Sequence, residues 1–201
     1  MLLSHTFKCV FVHIPRTGGT WLTYKIRDAD PESKGTGREV ALIKAHPRRY
    51  EYVRTGRHGT LQSIYDLADV DLDNYFKFAI CRHPYTRFQS CYKYYTNKTA
   101  TSARAGFKNE HQMMDWLEEN GACKNHVMPQ SRWHDNRLDQ VFKFEEIENT
   151  DISKFIPDMP AYSKTSNRII KTDYEHELDQ DLKERIYKFY KEDFKLFDYQ
   201  P

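Results

Sequence analysis

A cation, two glycines and two hydroxyl groups stand together near the start of the chain, in the stretch FVHIPRTGGTW at residues 11–21. An apolar run precedes them, so the stretch predicts a buried strand, a glycine loop and then a helix. Glycines allow a ligand to approach the backbone closely, and the first turn of a helix offers N–H groups and the positive end of its dipole. Arg16 adds a cation, and Thr17 and Thr20 add hydroxyls. This set suits the binding of a phosphate or sulfate group.

The glycine pair, Gly18 and Gly19, is not part of a Walker A motif. That motif ends in Gly-Lys-Ser/Thr, whereas here the basic residue precedes the glycines and no such sequence follows. We therefore expect a phosphate-type ligand without the signature of an ATPase. The alternative is a tight strand-to-helix turn whose glycines serve packing.

A second cation follows another apolar, strand-like run at residues 75–81. Arg82 comes directly after that run, and Ser90 lies eight residues later on a predicted helix. An arginine at the end of a strand can bind a phosphate with two parallel hydrogen bonds, and a serine hydroxyl can add another. The alternative is an arginine that pairs with a nearby carboxylate.

Strands and helices alternate along the chain, which predicts a central parallel sheet with helices on both faces. Ligands bind beyond the carboxyl ends of the strands in such sheets, and residues 14–20 and 82–90 both follow strand ends. Hydrophobic periodicity predicts strands at residues 8–14, 40–45, 75–81 and 140–144, and helices at residues 20–27, 60–67, 84–95, 111–119 and 178–194, with Thr60 as a helix cap.

Composition limits the class of protein. The chain has 201 residues, 39% of them hydrophobic and 30% charged, and a net charge of +2. These values predict one globular domain and argue against general nucleic-acid binding. The four cysteines have no disulfide-framework spacing, and no apolar run approaches membrane-spanning length, so we predict a cytoplasmic, reduced protein. A basic cluster at residues 44–58 is either a solvated loop or a wall that faces an anionic ligand.

Together, the two anion-binding segments resemble the sulfotransferases that use 3′-phosphoadenosine-5′-phosphosulfate (PAPS). Residues 11–20 match the first element of that family, F-V-H-I-P-K-T-G-G-T, except that Arg16 replaces the usual Lys. Residues 82–92 match the second, R-N/D/H-P-x-x-R-x-x-S-x-Y. Weaker similarity to the bacterial and carbohydrate branch of the family extends over residues 129–133, 141–145 and 190–197.

The resemblance implies a P-loop-NTPase-like, three-layer α/β domain with a central parallel sheet flanked by helices, covering residues 1–201. Arg82 and Ser90 would hold the 3′-phosphate of the donor, and Lys164 and Arg168 lie in a late segment that would close over the nucleotide. The product would be adenosine 3′,5′-bisphosphate (PAP), and no metal is implied. The 5′-phosphosulfate would lie against Arg16, Thr17, Gly18, Gly19, Thr20 and Trp21.

His58 is the predicted general base. It lies in the sequence Arg-His-Gly-Thr, which is similar to the family's G/K-H-x-T/S segment, where the histidine faces the transferred sulfate. The ordinary pKa of histidine suits proton abstraction at neutral pH. His46 is the alternative base, and a polar loop residue that merely lines the cleft is the alternative role for His58. His13 is predicted to be structural or a supporting hydrogen-bonding residue.

The predicted reaction is transfer of a sulfuryl group to a hydroxyl acceptor, with a sugar or glycan as the predicted acceptor. The basic cluster and the 14 tyrosines suit an extended or anionic acceptor. A P-loop-type small-molecule kinase and a catalytically silent nucleotide-binding protein are the alternatives. A zinc site around residues 123–126, His111 and His134 lacks a second pair of ligands, so we predict no metal.

Overall fold

The computed structural model describes residues 2–29, 50–51, 58–66, 71–96, 106–122, 124–147, 149–156 and 177–201. Several predictions from the sequence lie outside these residues: the strand at 40–45, the alternative base His46, most of the basic cluster, Cys123, and the late segment with Lys164 and Arg168.

The described residues form five strands and six α-helices. The strands are β1 (Leu2–Ser4), β2 (Cys9–Val12), β3 (Tyr50–Glu51), β4 (Phe76–Cys81) and β5 (Gln140–Lys143). The helices are α1 (Gly19–Ala29), α2 (Leu61–Tyr65), α3 (Pro84–Thr96), α4 (Glu110–Asn120), α5 (Gln180–Phe189) and α6 (Lys191–Leu196). Short 3₁₀ turns lie at Gln130–Trp133, Phe144–Glu146 and Ile152–Lys154.

The strands form one mixed sheet in the order β3-β1-β2-β4-β5. The pairs β2–β4 and β4–β5 are parallel, as the alternation of strands and helices predicts. The prediction of a parallel sheet is wrong on the other side, where β1 pairs antiparallel with both β2 and β3. β1 has only three residues, too few to show a hydrophobic period, and a four-residue turn joins it to β2. So short a connection permits only an antiparallel pair.

The chain divides into two compact units. The first consists of Met1–Cys81 and Trp133–Ile169, and the second of Arg82–Arg132 and Ile170–Pro201. The sheet belongs to the first unit, together with α1 and α2. Helices α3 to α6 belong to the second.

The core of the first unit lies on the two central strands. Every residue of β2 is buried, and so are the last five residues of β4, because strands flank both edges and packed side chains cover both faces. The rings of Phe11 and Phe78 stack with their centres 5.2 Å apart. Burial raises the pKa of the Cys9 thiol to about 12, so this cysteine behaves as a small apolar side chain. The described cysteines, Cys9, Cys81 and Cys91, are buried and unbridged.

The second unit is a set of packed helices in which α3 contacts α4 and α5, and α5 contacts α6. One helix was predicted over residues 178–194, but the structure has two, because the backbone leaves the helical conformation at Tyr190 (φ −106°, ψ 24°). The buried hydroxyl of Tyr190 donates a hydrogen bond to the Val127 carbonyl oxygen at 2.7 Å. Hydrophobic periodicity along the sequence does not predict this contact. No helix in the described part of the chain is long and apolar enough to cross a membrane.

Candidate functional site

The glycine loop connects β2 to α1 and is tightly folded. Arg16 and Gly18 both have left-handed backbones, with φ of 68° and 82°. Such a conformation costs a non-glycine residue about 1–2 kcal/mol, so the surrounding contacts must hold Arg16 in place, as is common at binding sites. One of these contacts is the hydrogen bond that the buried Thr17 hydroxyl donates to the Ile14 carbonyl oxygen at 2.9 Å.

Both glycines are required by packing on the side to which a Cβ would point. A Cβ on Gly18 would come within 2.7 Å of the Phe144 ring. A Cβ on Gly19 would collide with the imidazole ring of His13. On the side of the loop where a Cβ would lie, the two glycines therefore serve packing, as the alternative interpretation of the sequence predicts.

The start of α1 gives the loop its hydrogen-bonding groups. The amides of Trp21 and Leu22 both donate to the Gly18 carbonyl oxygen, at 2.9 and 3.5 Å. The amides of the preceding residues head the helix, where N–H groups have no partner within the helix itself. Thr20 is exposed and Trp21 is half-buried, so both can face a ligand at this end. A helix start next to Arg16 is suited to an anion.

His58 lies beside the residue that opens the loop. Its Nδ1 is 3.0 Å from the His13 carbonyl oxygen, and the two imidazole rings are 4.8 Å apart. A carbonyl oxygen only accepts hydrogen bonds, so Nδ1 carries the proton and Nε2 of the neutral ring carries the lone pair. The Trp133 indole N–H donates to the His58 carbonyl oxygen at 2.9 Å and fixes the main chain here.

The helix that follows His58 is anchored as well. Thr60 caps the start of α2 with its side chain, as the sequence predicts. Arg137 donates a hydrogen bond to the Gln62 side-chain oxygen at 2.8 Å and lies over the Tyr65 ring at 4.4 Å. Hydrogen bonds from Arg137 hold the pKa of the Asp135 carboxyl below its ordinary value, so this pair stays charged at neutral pH. These contacts anchor α2, which begins three residues after His58.

In the second unit, Arg82 comes directly after the last residue of β4 and is 5% exposed. Its Nε donates to the Thr86 hydroxyl at 3.1 Å, and that hydroxyl donates to the His83 carbonyl oxygen at 3.2 Å. Ser90 is also buried and lies about 9 Å along the axis of α3 from Pro84.

The other arginine of this motif, Arg87, has a structural role. It is 2% exposed, and its Nη2 donates to the carbonyl oxygens of His126 and Met128 at 3.2 and 2.8 Å. The Cys91 thiol donates to the same His126 carbonyl oxygen. These bonds attach the segment before the Gln130–Trp133 turn to α3.

The structure thus places His58 against His13, just before residues 16–21, in the first unit. In the second unit it places Arg82 just before α3 and Ser90 in the middle of that helix. Four supporting residues have no role in the sequence analysis. All of them lie in the segments with weaker family similarity, which was the only indication available: Gln130, Trp133, Phe144 and Asp193.

One group of described residues has spacing that could hold a metal ion: His111, Asp179 and Asp181. His111 is half-buried, and both aspartates are exposed. The carboxylate of Asp179 already accepts two hydrogen bonds, from the Leu182 amide at 2.9 Å and from His111 Nε2 at 2.7 Å. The Leu182 bond is the main cause that lowers the pKa of Asp179. These atoms cap α5 and join it to α4.

Comparison with known proteins identifies the family of the chain. A model of the sulfotransferase family matches residues 1–200, essentially the whole chain. No curated protein and no solved structure gives a significant match. The mixed α/β architecture, with helices flanking the sheet, is consistent with the α/β fold of that family. The chain belongs to the sulfotransferase family.

Proposed function

We propose that this protein transfers the sulfuryl group of PAPS to a hydroxyl group of a carbohydrate acceptor, with PAP as the second product. Membership of the sulfotransferase family supports a transferase that moves sulfate. The donor, the acceptor class and the base are the parts that we add. We also propose that residues 1–201 form a single P-loop-like, three-layer sulfotransferase domain.

The observation that carries the proposal is the hydrogen bond between His58 Nδ1 and the His13 carbonyl oxygen. It selects the tautomer in which Nε2 can accept a proton. In the proposed step, His58 Nε2 takes the proton of the acceptor hydroxyl while the acceptor oxygen bonds to sulfur. The bond between sulfur and the bridging phosphate oxygen breaks in line, and its electron pair leaves with PAP.

Arg16 and the start of α1 would stabilise the negative charge that develops on the leaving phosphate. A guanidinium and helix N-terminal amides supply that stabilisation from fixed positions. Because the Thr17 hydroxyl donates to Ile14, we expect Thr17 to act through its backbone N–H. Gly18, Gly19, Thr20 and Trp21 would complete the cradle of the phosphosulfate.

The 3′-phosphate would be bound by the Nη groups of Arg82 and by the Ser90 hydroxyl, and Lys164 would add a cation over the nucleotide. Two arguments support Arg82: its Nε is held by Thr86, and an oriented guanidinium binds a phosphate with two parallel hydrogen bonds. This chemistry needs no metal ion, because cations and amides of the chain carry the charge stabilisation.

The test is calorimetric binding of PAP and of ADP, each with and without Mg²⁺. Tight binding of PAP that does not depend on Mg²⁺, together with weak binding of ADP, is the expected result. A preference for ADP with Mg²⁺ would instead support the kinase alternative and would remove the role proposed for Arg82. Binding of PAP by a protein that transfers no sulfate in an acceptor screen would support the silent nucleotide-binding alternative.

A further inference from the structure

A buried side chain from a distant part of the sequence holds the main chain of Arg82. The side-chain oxygen of Gln130 accepts the Arg82 amide at 2.9 Å, and its side-chain nitrogen donates to the Arg82 carbonyl oxygen at 2.7 Å. Gln130 is fully buried. The side-chain amide of Gln130 therefore binds both the main-chain N–H and the main-chain carbonyl oxygen of Arg82. This leaves the backbone of Arg82 little freedom to rotate.

Asp193 holds Gln130 in turn. Its two carboxylate oxygens accept the amides of Gln130 and Ser131, both at 2.8 Å, and the side chain is fully buried. A buried carboxylate is costly unless it is fully hydrogen-bonded, and here it accepts the first two amides of the Gln130–Trp133 turn. The result is a continuous set of hydrogen bonds from α6 through the turn to Arg82.

A gain in stability is a weak explanation for the buried hydrogen bonds among Asp193, Gln130 and Arg82. An apolar cluster of similar volume often stabilises a protein as well as, or better than, a buried charged network. What the polar network adds is direction, because each bond fixes an angle as well as a distance. With its main chain held by Gln130 and its Nε held by Thr86, Arg82 loses little further freedom when it binds a ligand, which favours affinity.

We propose that Gln130 and Asp193 are positioning residues that aim the guanidinium of Arg82 at the 3′-phosphate of the nucleotide. This inference rests on the proposed function. It gives a role to two of the weakly similar segments, residues 129–133 and 190–197, since one side chain from each completes the network.

The test uses Gln130→Glu, which keeps the shape of the side chain. An ionised glutamate still accepts the Arg82 amide, but it sets a negative oxygen against the Arg82 carbonyl oxygen. A protonated glutamate can donate there again. The readout is the ratio of the dissociation constants of AMP and PAP between pH 5.5 and pH 9. We expect the variant's ratio to fall about tenfold or more below that of the wild type at high pH and to recover as pH falls.

Tyr190→Phe is the matched control. It removes another buried hydrogen bond of the same unit, from the Tyr190 hydroxyl to Val127, which does not involve Arg82. This variant should melt at a lower temperature and keep the wild-type ratio of the AMP and PAP dissociation constants. A general loss of stability weakens the binding of both nucleotides alike. If Gln130→Glu does not fold, Asp193→Asn replaces it. Asparagine offers one acceptor oxygen for two amides and does not titrate, so the ratio should fall at every pH.

The outcomes separate the two proposals. A wild-type protein that does not prefer PAP over AMP overturns the proposed function, and the positioning role with it. A wild-type preference that survives unchanged in both Gln130→Glu and Asp193→Asn overturns the positioning role alone.

Discussion

The two candidate anion sites are held in different ways. In the first unit, neighbours in sequence hold the glycine loop: the Thr17 hydroxyl binds the Ile14 carbonyl oxygen, and the Thr23 hydroxyl binds the Gly19 carbonyl oxygen. In the second unit, the main chain of Arg82 is held by Gln130, which lies 48 residues away. The hydrogen bonds within the glycine loop are therefore local, whereas those that hold the main chain of Arg82 form only when distant segments are packed.

Steric fit matters more in the first site, and directional hydrogen bonds matter more in the second. The glycine loop leaves no room for a Cβ at Gly18 or Gly19. Around Arg82, by contrast, the contacts are polar and buried. Substitutions should therefore act through volume in one site and through donors and acceptors in the other, with effects of different size.

The largest expected effect is that of His58→Ala on turnover. Loss of a general base typically reduces the rate about 10²–10⁴-fold, while the affinity for the donor should stay close to that of the wild type. The measurement is sulfate transfer to an acceptor found by screening hydroxyl compounds, with donor affinity measured separately. Trp133→Phe removes the bond to the His58 carbonyl oxygen and part of a fully buried side chain, so it should lower stability but reduce turnover much less. Near-normal turnover in His58→Ala would rule out His58 as the base.

Arg82→Met should produce the next largest effect, on binding. Loss of charge-assisted hydrogen bonds should weaken the binding of PAP by about tenfold to a hundredfold and leave the binding of AMP nearly unchanged. Calorimetry of both nucleotides measures the change. Arg87→Lys is the control: it alters the buried arginine that binds His126 and Met128, and so should lower stability without altering the preference. Equal losses for PAP and AMP in Arg82→Met would mean that Arg82 does not contact the 3′-phosphate.

Gly18→Ala tests the steric character of the first site. Both Gly18 and Gly121 have left-handed backbones, with φ of 82° and 64°, but only Gly18 has a ring in the path of a Cβ. Gly121→Ala should cost about 1–3 kcal/mol of unfolding free energy through its backbone alone (φ 64°, ψ −172°), and Gly18→Ala should add about 1–3 kcal/mol for the clash with the ring. Chemical denaturation measures both values. Phe144→Leu should recover part of the extra cost, and the absence of any recovery would show that the ring is not its source.

The contrast between local contacts and contacts from distant segments also decides which features could be predicted from the sequence. The glycine loop, the capping role of Thr60 and the strand before Arg82 depend on residues close together in the chain, and the structure has each of them where local patterns place it. Gln130 and Asp193 could not be assigned a role, because an isolated glutamine or aspartate has no periodicity and its partners lie at least 48 residues away. The strand β1 was missed for a different reason, since three residues show no period.

The smallest expected effect lies on the surface of the second unit, at Arg185. Arg185 joins α5 to α4 through Asp115 and Glu118, each with a 2.6 Å contact, and its hydrogen bond lowers the pKa of Glu118. A lowered carboxyl pKa stabilises the fold above the unfolded value of about 4.3 and loses that contribution as pH falls through the folded value. Arg185→Met should thus lower the unfolding free energy by about 0.5–1 kcal/mol at pH 7 and much less at pH 3.

Denaturation at both pH values measures this difference, with Lys191→Met as the control for loss of an exposed cation. The preference for PAP over AMP should be unchanged in Arg185→Met, because an exposed ion pair on α4 and α5 is not part of the hydrogen bonds that orient Arg82. A change in that preference would mean that the packing of these helices sets the aim of Arg82 as much as the bonds from Gln130 do. The second site would then depend on the whole unit rather than on one buried network.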